Sequence, residues 1–150
     1  MIKFSQNNPK WKYVRMGKSN LTLGNYGCVT SSVATLGTWF GDKLTPEDYA
    51  NNKSLYTSGG LILWKQIENI SKNIKFLYRY YSFNKQLIDK YLLDDPKTAV
   101  LLNVDRGYHW VSALDKASGG YKCSDPYKFP AKDRVYKYSE ISGFSVLQKK

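Results

Sequence analysis

The chain has a single histidine, His109, and only two cysteines, Cys28 and Cys123, among its 150 residues. One imidazole leaves any imidazole-assisted chemistry a single residue to use. One His and two Cys also argue against a dedicated zinc site, which takes four such ligands, and nothing else in the chain calls for a metal or a cofactor. Two cysteines do not form the disulfide framework of a small secreted fold, although one bridge between them stays arithmetically open. No apolar run approaches the roughly 18 to 20 residues that span a bilayer, so no transmembrane segment is expected. The stretch Met1-Ile2-Lys3-Phe4-Ser5-Gln6 lacks the apolar core of a secretory signal. The compartment is left open: either the cytoplasm, or an outside location reached by another route.

Acidic residues are scarce too, 12 Asp and Glu against 23 Lys and Arg, for a formal net charge of +11. The cations are scattered from Lys3 to Lys150 without a long basic block. Such a balance favours contact with an anionic polymer or surface through long-range attraction, and its plainer use is solubility. With 42% hydrophobic residues, a chain of this length can bury one core, so residues 1–150 are read as a single domain.

What the chain does have is centred on Tyr26-Gly27-Cys28-Val29-Thr30. Val29, Val33, Leu36 and Phe40 follow at the spacing of one helix face, which predicts a helix over 28–40 stopped by Gly41. Cys28 then lies in the first turn, where unpaired N–H groups and the positive helix end favour a thiolate. Residues 1–27 read as an irregular lead-in pinned by Trp11 and Tyr13. Thr45-Pro46-Glu47-Asp48 starts a second helix that ends near Asn52. Leu63, Ile67, Ile70 and Ile74 predict a third over 61–73. Lys75 to Ser82 alternates as an aromatic strand, and Asn84 caps a fourth helix that ends before Pro96.

Beyond Pro96 the pattern turns to strands. Thr98 to Val104 is apolar enough to be covered on both faces. After a turn at Asp105-Arg106-Gly107, Tyr108 to Leu114 and Tyr121 to Ser124 form a hairpin about Ala117-Ser118-Gly119-Gly120. Residues 135–138 and 144–147 are read as edge strands. Helices come first and an antiparallel sheet follows, which is the pattern of an α+β fold.

In that hairpin His109 opens one strand and Asp125 closes its neighbour, so pairing about the turn brings imidazole and carboxylate together. His109 would take the proton of Cys28 while Asp125 orients the ring, giving a thiolate able to attack a carbonyl carbon. Singly, each residue has a duller explanation: a small buried thiol, a turn-forming Asp before Pro126, a half-buried strand histidine. The combination is what points to a nucleophilic cysteine enzyme. Cys123 is read as facing the core on the same side as Tyr121.

Phe4-Ser5-Gln6-Asn7-Asn8-Pro9-Lys10-Trp11, Thr22-Leu23-Gly24 ahead of Tyr26-Gly27-Cys28, Thr45-Pro46, Gly59-Gly60 with Trp64, His109-Trp110-Val111 and Ser124-Asp125-Pro126 occur in that order. Together they resemble the papain-like cysteine peptidases of the double-glycine leader-peptidase superfamily, and the likeness covers most of the chain. It is nearest to the stand-alone branch found in bacteria and phages, often linked with cleavage of cell-wall peptides. The resemblance implies a papain-like fold, with N-terminal helices packed on a C-terminal antiparallel sheet. It makes Cys28 the nucleophile, His109 the base, Asp125 the orienting acid and Gln6 the amide that stabilises the oxyanion. Asn20 or Asn25 could supply that amide instead. Val29-Thr30 departs from the Gly-Pro that follows the cysteine in many relatives.

Three functions are therefore weighed. The first is a cysteine peptidase or amidase acting on a peptide, with a cell-wall (peptidoglycan) peptide as leading substrate. The second is a binding or virion structural module that keeps the fold without turnover. Nucleic-acid binding, suggested by Tyr78-Arg79-Tyr80-Tyr81 and the charge, ranks last because alternating strand aromatics are usually packing.

Overall fold

The computed structural model describes residues 1–150 as a mixed helix and strand structure. Helices α1 (Leu23–Tyr26), α2 (Cys28–Trp39), α3 (Pro46–Ala50), α4 (Ile67–Ile70) and α5 (Lys85–Asp89) accompany six strands. The strands are β1 (Ile74–Tyr80), β2 (Thr98–Val104), β3 (His109–Ala117), β4 (Gly120–Asp125), β5 (Lys132–Lys137) and β6 (Gly143–Lys149). They form one antiparallel sheet in the order β1-β6-β2-β3-β4-β5. The α+β reading holds at this level. No helix is long and apolar enough to cross a membrane.

Apolar residues on both faces of the sheet build two cores, and β2 belongs to both. All seven of its residues are buried. Ala99 and Leu101 join the core that holds α2, while Val100, Leu102 and Val104 join one containing Ile88 of α5. This alternation is why the run of Thr98 to Val104 carries only two polar residues, Thr98 and Asn103. The same logic corrects the placement of β6, expected at an edge. Phe144 and Val146 fill one core and Leu147 the other, and a strand covered on two sides is stable only between partners, here β1 and β2. Ser145, buried but polar, interrupts its apolar signature. The expected edge position of β5 is correct, with Tyr136 its one buried residue.

Helix α2 is the central element. Val33, Leu36 and Phe40 are buried as the spacing predicts, with Val29 packed against them. The other side of the helix is polar yet buried, and hydrogen bonds satisfy most of it. Ser112 Oγ donates to Ser32 O at 3.0 Å, Ser32 Oγ donates to Trp110 O at 3.4 Å, and Thr30 and Tyr56 share a hydroxyl contact of 2.7 Å. Two of these lock α2 onto β3 beside His109, because a polar group withdrawn from water without a partner is costly. The capping box at Thr45 and Asp48 forms as expected, with Pro46 in the first turn.

Elsewhere the expectations need correction. The third helix shrinks to a short 3-10 turn at Trp64–Gln66 and the four residues of α4. Ser71 ends it: its Oγ accepts from the N–H groups of Asn73 (3.1 Å) and Ile74 (2.9 Å), turning the chain into β1. The fourth helix begins at Asn84, whose side chain accepts from Leu87 N at 3.0 Å, but widens into a π turn over Lys90–Asp94. Trp11 pins the lead-in, buried with Nε1 donating to Ser5 O at 2.8 Å, whereas Tyr13 is 78% exposed. The lead-in also contains α1, too short to leave a periodic trace.

Candidate active site

Gly27 and Cys28 form the junction between α1 and α2. A Cβ on Gly27 would lie 2.5 Å from Leu23 O, so only glycine lets the chain turn that tightly into the helix. Cys28 is thus the first residue of a twelve-residue helix, whose opening N–H groups have no intrahelical acceptor.

His109 is brought into position by a flaw in the sheet. The β3–β4 hairpin turns at Ser118-Gly119, with Gly119 in the left-handed region (φ 70°) that the turn requires. From there the pairing runs Ala117 with Gly120 to Asp115 with Lys122, then skips Leu114 to Ala113 with Cys123. Without that bulge the register would set Asp125 opposite Ser112, out of phase with His109. With it, Asp125 extends opposite Val111, in phase with His109 two residues away. The imidazole and carboxylate meet: His109 Nε2 is 2.8 Å from Asp125 Oδ1.

Asp125 is held from two other directions. Tyr127 N donates to Oδ1 at 3.0 Å and Tyr136 Oη donates to Oδ2 at 2.7 Å. Burial alone would raise its pKa, the largest single influence, but the hydrogen bonds from His109, Tyr127 and Tyr136 and the His109 charge bring it down to about 2. For His109, burial would lower the pKa. The Asp125 hydrogen bond, then the neighbouring Cys28 and the Asp125 charge, outweigh it and raise the pKa to about 9. With Nε2 committed to Asp125, Nδ1 is the ring nitrogen left for Cys28. Burial and then the Asp125 carboxylate push the Tyr136 phenol up, so it stays protonated as a donor.

These groups open onto a cleft of about 780 Å³ whose wall contains Cys28, His109, Asp125 and Gln6. Gln6 is 2% exposed. Its main chain donates to Pro126 O at 2.8 Å, its Nε2 donates to Gly24 O at 3.0 Å, and its Oε1 has no partner. The lead-in is therefore tied on one side to the residue after Asp125 and on the other to the approach to Cys28. Of the alternative amides, Asn25 also lines the cleft, while Asn20 is exposed and does not.

Several contributors to this site carry no clear sequence signal. Tyr136 comes from a strand that pairs with β4, a relation no local pattern reports. Asp105 and Arg106 both adopt left-handed backbone (φ 51° and 57°) just before His109 and line the cleft. The sequence predicts a turn at Asp105-Arg106-Gly107 but not this conformation, which non-glycine residues adopt at some cost. Cys123 is fully buried in the core that also holds Tyr121, and burial above all pushes its thiol pKa up. Both cysteines are free. Among the aromatics of β1, Tyr80 stacks on Phe144 at 4.5 Å and Arg79 sits over the Tyr81 and Trp110 rings, so much of the basic aromatic stretch is engaged in packing.

The chain matches no protein-family model, no curated protein and no solved structure.

Proposed function

We propose that the protein is a cysteine peptidase or amidase with a papain-like fold, hydrolysing a peptide bond through Cys28, His109 and Asp125. The observation that carries the reading is the 2.8 Å contact between His109 Nε2 and Asp125 Oδ1 in the cleft that also contains Cys28 and Gln6. In the proposed reaction the proton of Cys28 already rests on His109, whose ring is protonated at neutral pH, and the sulfur of this thiolate–imidazolium pair attacks the carbonyl carbon. The carbonyl oxygen becomes an oxyanion, met by the Gln6 amide and the Cys28 N–H at the helix start. His109 then gives its proton to the leaving amine as the C–N bond breaks. Water, deprotonated by His109, cleaves the thioester, and the sulfur leaves as thiolate beside the re-formed imidazolium.

Asp125 stabilises the imidazolium of the thiolate–imidazolium pair and fixes the ring so that Nδ1 faces the sulfur. The net charge of +11 suits a substrate embedded in an anionic matrix, and a cell-wall peptide is the substrate proposed. The test is hydrolysis of purified wall and of peptide libraries by wild type, Cys28→Ala and His109→Ala. Loss of cleavage in both variants supports the reading. Full activity retained in both overturns it, and an inactive wild type would leave the cleft to a binding module.

A further inference from the structure

A second cavity, of about 360 Å³, adjoins the catalytic cleft, and Tyr26 and Tyr108 belong to the walls of both. It begins at Val29 and Thr30, the two residues after Cys28, and its wall is mainly apolar, with Trp64 and Trp110 among the lining side chains. Arg79 is the only charged residue in that wall.

The guanidinium of Arg79 has no carboxylate. It forms no ion pair and no hydrogen bond, its Nε is buried without a partner, and its charge rests 5.2 Å from the Trp110 ring centroid and 4.5 Å from that of Tyr81. Across the sheet from it on β6, Ser145 Oγ is likewise buried and unpartnered. Aromatic faces are a weaker partner for a half-buried guanidinium than a carboxylate is. A rigid fork of N–H donors in an apolar chamber matches a carboxylate well, and a few polar groups in an apolar wall are how small-molecule pockets orient a ligand.

We infer that this cavity binds a substrate group with an apolar body and a free carboxylate, which pairs with Arg79. The inference rests on the proposed hydrolysis only in making that group part of the substrate beside the scissile bond; the binding itself needs no turnover. The carboxylate could be a chain terminus or an acidic side chain, and the two sources are separable.

The experiment is calorimetric titration of the full-length Cys28→Ala protein, which cannot turn over, with three probes. They are N-acetyl-Ala-Phe with a free carboxylate, the same dipeptide as its amide, and N-acetyl-Ala-Glu amide. At least one carboxylate probe is expected to bind about tenfold or more tighter than the Phe amide, and which one does so identifies the source. Adding Arg79→Gln should erase the preference, and Arg79→Lys should keep part of it. Equal affinities, or no binding of any probe up to about 10 mM, overturn the inference, as does a folded Arg79→Gln protein that keeps the preference. If Arg79→Gln does not fold, the comparison among the three probes still decides. Failure here leaves the wall-cleavage test untouched, and an inactive wild type leaves this binding result untouched.

Discussion

His109 and Asp125 face each other at 2.8 Å because a single unpaired residue, Leu114, shifts the register of β3 against β4. Asp125 in turn accepts from Tyr136 on β5, so the imidazole is braced by a carboxylate that two neighbouring strands hold still. The following expectations come from that bracing and from what surrounds it.

Because the chain has one histidine, its imidazole gives a unique proton resonance in NMR. Wild-type His109 is expected to titrate near pH 9. Asp125→Asn removes the strongest influence that keeps the ring protonated and should lower that value, with burial then acting against the charged form. Cys28→Ala should lower it as well. An unchanged midpoint in both variants would show that neither group acts on the ring.

The same shifts make stability depend on pH in a defined sense. His109 has a folded pKa of about 9 against 6.5 when unperturbed, so its contribution is complete below pH 6.5 and is lost as pH rises through about 9. Asp125 is lowered from 3.8 to about 2, so its contribution is complete above 3.8 and is lost as pH falls through about 2. The two describe one interaction in large part and do not add. The His109 shift corresponds to about 3 kcal/mol. Urea unfolding at pH 6 and at pH 9.5 should show the stability gap between wild type and Asp125→Asn narrowing at the higher pH. A gap of equal size at both contradicts the linkage.

Gln6 and Asn25 both line the cleft, but only Gln6 is anchored, through Pro126 and Gly24. A preorganised donor contributes in the transition state rather than in substrate binding. Gln6→Ala is therefore expected to lower kcat by about a hundredfold with little change in KM. Asn25→Ala should stay within about threefold of wild type. The opposite ranking would move the oxyanion role to Asn25.

The two thiols should differ in reactivity. Cys28 opens onto the cleft, while Cys123 is fully buried with a raised pKa. Brief treatment of native protein with iodoacetamide at pH 6 should add one label, located by mass spectrometry at Cys28. Two labels, or one at Cys123, would contradict the assignment. A Cys28 that reacts no faster than free cysteine would favour a binding module over an enzyme.

Signals in the sequence are legible where the physics is local. The start of α2 at Gly27-Cys28, the Thr45 capping box and the Gly119 turn each depend on residues within a few positions of one another. The apolar run of β2 is also readable, since a strand covered on both faces needs no polar phase. Where an element takes its character from distant partners, local pattern misleads. Leu63, Ile67, Ile70 and Ile74 are spaced as on a helix, yet Ser71 and the pairing with β6 turn the end of that segment into a strand.

Which residues are candidates for the proposed chemistry follows from the sequence alone: one imidazole, two thiols, and a glycine that lets Cys28 open a helix. Where they stand was decided in three dimensions. The bulge at Leu114, the insertion of β6 between β1 and β2, the hold of Tyr136 on Asp125 and the burial of Gln6 all arise from pairing between segments far apart in the chain. Side-chain period in a strand is two, so one unpaired residue decides which face a histidine looks from, and no neighbouring residue announces it.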